Sequence, residues 1–208
     1  MSCGIVEGDS QTIDRRRLAG VELTTTARDL AESLLSESLP RRWQHVQAVA
    51  AKAERVSVVL DGPDRAVLVA AAWLHDIGYA APLAHSGFHP LDGARWLRSQ
   101  GVHERVVRLV AHHTCAVLEA DERGLAGELV AEFAQEESAT ADALWYCDAT
   151  TGPDGQNFDV FERLNEIRAR YGPDALVTRF INRAEPEIVA AVRRTEARLA
   201  DFDGNQPM

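Results

Sequence analysis

His75-Asp76 closes the apolar run from Ala66 to Leu74 and is followed at once by Ile77-Gly78. An imidazole and a carboxylate side by side at a helix end can both ligate one metal ion. Groups of the same chemistry surround the pair: His45 before it, His85 and His89 after it, then His112-His113, and finally Asp148. Neutral imidazole together with carboxylate suits a borderline divalent ion such as Mn, Fe, Co, Ni or Zn. A carboxylate that follows a long apolar run tends to be buried, and a buried charge needs a partner. Cys3, Cys115 and Cys147 are the only cysteines and show no CxxC spacing, which argues against a structural zinc site and against a disulfide framework.

The elements that must position these groups read as helices. A first helix is expected over Thr24 to Ser38. A second runs from about Arg41 to Val59, with Val46, Val49, Ala50, Ala53 and Val56 at the three- and four-residue spacing of a buried stripe. Gly62-Pro63-Asp64 breaks the chain and offers Asp64 as an N-cap. The third helix runs from Arg65 to near Asp76, with Gly78 placed as its C-terminal cap. Pro90 opens a helix that stops at Gly101. Further helices are expected over about 103–114, 124–133, 137–147, 158–171, 174–182 and 187–200, with a loop from Asp148 to Gly155. Trp43, Trp73, Trp96 and Trp145 sit at helical spacing among apolar neighbours as core residues, and His103 reads as a solvated helix start. No strand set, repeat, P-loop or GxGxxG is visible. The expected product is an all-α, single-domain bundle with a metal site in its core. Its domain would span 21–200, between a tail over 1–20 and a second over 201–208.

Composition bounds the function. The chain has 208 residues, 46% hydrophobic and 26% charged, with a formal net charge of -10. Such an acidic balance argues against nucleic acid or an anionic membrane as partner. It leaves room for a small anionic substrate, because a metal supplies local positive charge. The start of the chain is polar, and no apolar run is long enough for a membrane helix, so a cytoplasmic location is expected.

The order His45, His75-Asp76, Asp148 resembles the HD-domain superfamily of metal-dependent phosphohydrolases. Arg42-x-x-His45, Ile77-Gly78 and His89-Pro90-x-x-Gly93-Ala94 add to the resemblance, which covers a motif core of 41–151. The C-terminal helices, 158–200, lie outside it. The resemblance implies one or two divalent ions. The first would be held by His45, His75, Asp76 and Asp148. The second would be held by Asp76, His89 and His112, with Asp76 bridging. His89 is preferred to His85 for its His-Pro context. Adjacent helical residues diverge by about 100°, so His112 is taken as the ligand and His113 as a supporting or substrate-contacting residue. A hydroxide between the ions would attack the phosphorus of a small phosphorylated substrate, a nucleotide or related metabolite. Asp76, Arg42 and His113 are the candidate catalytic residues, with Arg41 an alternative to Arg42 for balancing phosphate charge.

Many relatives carry a lysine shortly after the HD pair. Tyr79 stands at that place here, and donates a hydrogen bond but no charge. Tyr79, His85 and Thr151 are the candidate substrate contacts. Two other readings compete with hydrolysis: a mixed-valent di-iron oxygenase built on the same ligand type, and a non-catalytic regulatory domain. A homodimer is compatible with the pattern.

Overall fold

The computed structural model describes residues 8–204. Ten α-helices make up the described residues: α1 (Gly8–Leu35), α2 (Pro40–Val56), α3 (Gly62–Leu74), α4 (His89–Ser99), α5 (Glu104–Ala111), α6 (Ala116–Glu122), α7 (Ala126–Glu132), α8 (Ala139–Ala149), α9 (Val160–Tyr171) and α10 (Leu176–Gly204). Short 3-10 turns follow α2, α3 and α5, the latter two over Ile77–Tyr79 and His113–Cys115. Among the described residues strand pairing is limited to an isolated antiparallel bridge between Thr151 and Asn157. The all-α reading therefore holds. No helix of the described residues is long and apolar enough to cross a membrane.

α3 is the central rod. Its residues from Val67 to Leu74 are buried apart from a half-buried Trp73. A helix apolar on nearly every side must be enclosed, and α1, α2, α5 and α8 pack around it. α4 packs on α5 and on the Ile77–Tyr79 turn. A second, smaller core joins α9 and α10 to the end of α8 through Leu164, Ile181, Ile188 and Ala149. Ser138 caps α8 by accepting from the Ala141 N–H, and Asp159 with Glu162 forms a capping box on α9.

Several boundaries differ from the sequence reading. The backbone is helical from Gly8, inside the expected tail; residues 1–7 and 205–208 lie outside the described residues. Asp64 is not a cap: Asp61 precedes α3, and Asp64 instead binds Arg105 and accepts from Thr140. α6 lies where no helix is expected. The two helices expected beyond residue 174 are one, because Ile181, Ala184, Ile188 and Val192 form a buried stripe that runs unbroken past Pro186. Asp148 lies in the last turn of α8 and not in the following loop.

Candidate metal centre

Six side chains converge from five helices and the turns that follow them. His45 comes from the middle of α2, His75 from the C-cap of α3 and Asp76 from the next position. His89 opens α4, His113 opens the turn after α5, and Asp148 ends α8. They form two triads, each with its ligand atoms within 4.8 Å of one another: His45, His75 and Asp148, and Asp76, His89 and His113. Asp76 stands between the two. Its Oδ2 lies 3.4 Å from His75 Nε2 and 3.8 Å from His45 Nε2. Its Oδ1 lies 3.2 Å from His89 Nε2 and 3.9 Å from His113 Nε2.

Hydrogen bonding orients the rings. The Nδ1 atoms of His45, His75 and His113 lie 3.0, 2.8 and 2.7 Å from the carbonyls of Gly152, Ala72 and Val110. A carbonyl only accepts, so each Nδ1 carries the proton. In the neutral ring each Nε2 then presents a lone pair to the centre, the usual arrangement behind a metal-binding histidine. His75 Nε2 is buried and makes no hydrogen bond. His89 Nε2 and His113 Nε2 face each other at 3.1 Å, and His45 Nε2 faces Asp148 Oδ1 at the same distance. Lone pairs and carboxylate oxygens brought this close call for positive charge between them. The donor set and the orphaned His75 nitrogen thus fit a divalent ion.

The titration shifts express the same demand. Burial lowers the His75 pKa, but the Asp76 and Asp148 carboxylates outweigh it and hold the imidazole up at about 9. Burial raises Asp76, yet Arg42 and His75 keep it well below the usual carboxylate range. Asp148 is likewise lowered against its burial, by the His45 hydrogen bond and the His75 charge. His113 falls to about 3, through burial and then the neighbouring His89 and His75.

Backbone detail holds the centre in place. A Cβ on Gly78 would meet the His89 carbonyl oxygen at 2.0 Å and the Gly93 nitrogen at 2.8 Å. Gly78 has no left-handed φ, so it is a close-approach glycine and not the cap its position suggests. This contact seats α4, and with it His89, on the turn after Asp76. The buried Asp92 accepts from the backbone N–H groups of His85 and Ser86 and fastens the loop leading into α4. After His113 the chain passes through two left-handed residues, Thr114 at φ 46° and Cys115 at φ 61°. For a β-branched residue that conformation is strained, at a cost of about 1–3 kcal/mol. It lets the Thr114 hydroxyl donate to Asp148 Oδ2.

The remaining sequence candidates separate. His112 is corrected: its Nε2 lies 2.7 Å from the Phe133 carbonyl, away from both triads, and His113 takes the inward place. His85 is exposed and touches Asp92 only through its backbone N–H. The Thr151 hydroxyl is spent on the Cys147 carbonyl. Tyr79 stacks on His89 at 4.0 Å, and Arg42 bridges Tyr79 and Asp76, with its guanidinium 4.1 Å over the Tyr79 ring and its Nη1 2.6 Å from Asp76 Oδ2. Arg41 instead pairs with Asp154 at the surface. Arg163 of α9 escaped the sequence reading. It is buried, bonded to Glu166, with its Nε unpartnered, and Asp148 is the leading charge that supports its cation against burial.

Residues 42–144 match the family model of the HD domain. No curated protein and no solved structure matches the chain. The match begins at Arg42, holds His45, His75-Asp76, His89 and His113, and stops just short of Asp148. Through this segment, which holds the His–Asp pair that follows α3, the chain belongs to the HD-domain superfamily.

Proposed function

We propose that this protein is a metal-dependent phosphohydrolase acting on a small phosphoester, a nucleotide or a related metabolite. One observation carries the reading: each oxygen of the Asp76 carboxylate faces a different donor triad. His45, His75, Asp76 and Asp148 would hold one divalent ion, and Asp76, His89 and His113 a second. Bound divalent ions supply Lewis acidity, lowering the pKa of water and offsetting phosphoryl charge.

The chain's own groups do the rest. Asp76 and Asp148 fix the charge of the site, and backbone carbonyls fix the histidine tautomers. Arg42 neutralises Asp76 and is half-buried beside the half-exposed Tyr79, so its guanidinium lies where an entering phosphate would need a cation. In that place it answers for the lysine absent after the HD pair. Arg163 brings a second buried cation to the Asp148 side. Tyr79, stacked on His89, offers an aromatic face and a hydroxyl to the substrate body.

The test is phosphate release from a panel of nucleotides and sugar phosphates, with Mn²⁺, Fe²⁺, Co²⁺ or Ni²⁺ supplied. Wild type should release phosphate, and Asp76→Ala should fall to background. No release with any metal sinks the proposal. Substrate-dependent oxygen uptake by an iron-loaded sample would instead establish the oxygenase reading.

A further inference from the structure

Lys52 is the sole lysine of the chain, and it is buried on α2, 7% exposed. Its ammonium donates to the carbonyl and to the hydroxyl oxygen of Thr150, each at 2.7 Å. Both acceptors are neutral. Among the described residues no carboxylate lies within ion-pair distance of Lys52, whereas most buried or half-buried arginines here have one. The negative end of α8 offsets part of the charge, yet two of three ammonium protons are spent and a buried cation is left without an anion. Such a charge is costly unless something pairs it.

Lys52 also lines a cavity of about 370 Å³, separate from the metal centre. That is at the small end of the roughly 300–1,000 Å³ typical of ligand sites. Arg55, one turn further along α2, lines it too and has no ion-pair partner among the described residues. Val56, Phe158 and Leu199 supply apolar wall, and Glu196 of α10 supplies one negative charge. Asp159 is occupied as the cap of α9. The lining thus carries two cations and two carboxylates, but Asp159 is turned to the α9 amides, whose positive helix end offsets part of its charge, so Lys52 and Arg55 are left with Glu196 alone. Burial pushes the Lys52 ammonium down to about 8, and the nearby Arg55 charge adds to the fall.

We propose that this cavity binds a small organic monoanion, a carboxylate on an apolar body, with Lys52 and Arg55 taking its charge. The site does not depend on the phosphohydrolase reading, and its test needs no metal. Because Lys52 stands alone, protein labelled with ¹³C-lysine gives one Cε resonance, free of overlap, from the intact chain. The chelator-treated protein would be titrated with benzoate, benzyl alcohol and inorganic phosphate. Benzoate should give a saturable shift of that resonance and raise its titration midpoint, since a bound anion favours the ammonium. Benzyl alcohol, of the same shape without charge, should give none, and phosphate should bind more weakly than benzoate. The Arg55→Gln variant changes an exposed residue and should keep the fold. It should weaken benzoate about tenfold, the loss expected for one charge-assisted hydrogen bond. A shift that never saturates would overturn the proposal. So would equal binding of benzyl alcohol or phosphate, or binding indifferent to Arg55→Gln.

Discussion

His112 and His113 are neighbours in sequence with opposite assignments. The first donates from its Nε2 to the Phe133 carbonyl, and the second faces Asp76 and His89. Their roles separate in a metal-loading experiment read by elemental analysis. His113→Ala should lose ions relative to wild type. His112→Ala should keep the wild-type content but unfold more easily, by about 1–3 kcal/mol, because the buried Phe133 carbonyl loses its partner. Equal metal content in the two variants would refute this division. The set His45, His75-Asp76, Asp148 and His89 came from the family resemblance, and the fold brings these side chains together. The choice within the pair was not legible in the sequence, because helical periodicity has force only inside a helix. α5 ends at Ala111, and the left-handed conformations of Thr114 and Cys115 leave no mark in sequence, since neither residue is glycine or asparagine. Arg163 was missed for a related reason: it lies beyond the motif, on a helix whose pattern does not say what it covers.

Periodicity announced most of the helices, while their mutual seating depended on a few backbone contacts. The clearest is the approach of Gly78 to the start of α4. In Gly78→Ala the added carbon meets the backbone of α4 at His89 and Gly93, so no side chain can rotate out of its way. α4 must shift and carry His89 from Asp76. The expected cost is about 3 kcal/mol, at the upper end of ordinary overpacking, with loss of metal binding. Gly62→Ala is the matched control. Nothing lies within 4 Å of its added carbon, and its φ is not left-handed. It should be neutral or stabilising by about 0.4–1 kcal/mol. Denaturant midpoints of the two variants check this, and equal midpoints would show that the Gly78 contact does not seat α4. The spacing Ile77-Gly78 to Gly93-Ala94 was visible in the sequence, but its meaning was not, because close approach between distant segments leaves no periodic signal. The gap expected between 182 and 187 is an error in the opposite direction: α10 runs continuously through Pro186.

Across the whole molecule, negative charge dominates and arginines answer it in pairs such as Arg105 with Asp64 and Glu136. Lys52 departs from this pattern, and its departure has a sign. Burial lowers its folded pKa from 10.5 to about 8. Below about 8 both folded and unfolded chains hold the proton, and the folded state bears the full cost of the buried charge. Between about 8 and 10.5 the unfolded chain binds one proton more than the folded chain, so stability rises with pH. Above 10.5 both forms are neutral and the cost is gone. The buried thiols act oppositely. Burial pushes Cys115 up to about 11 and Cys147 up to about 12, so both keep their protons when the unfolded chain begins to lose them near 9. Their contribution therefore falls as pH rises past that point, and the wild-type curve alone mixes both trends. Lys52→Met removes the first trend and, by taking away the cation that lowers Cys147, lifts that thiol further, which acts in the same direction. Urea unfolding of the two proteins should show wild type gaining on the variant by up to about 3 kcal/mol from pH 8 to 10.5. A difference that stays flat across that window would mean that Lys52 is not destabilised as an ammonium in the fold, and that its two bonds to Thr150 already satisfy it.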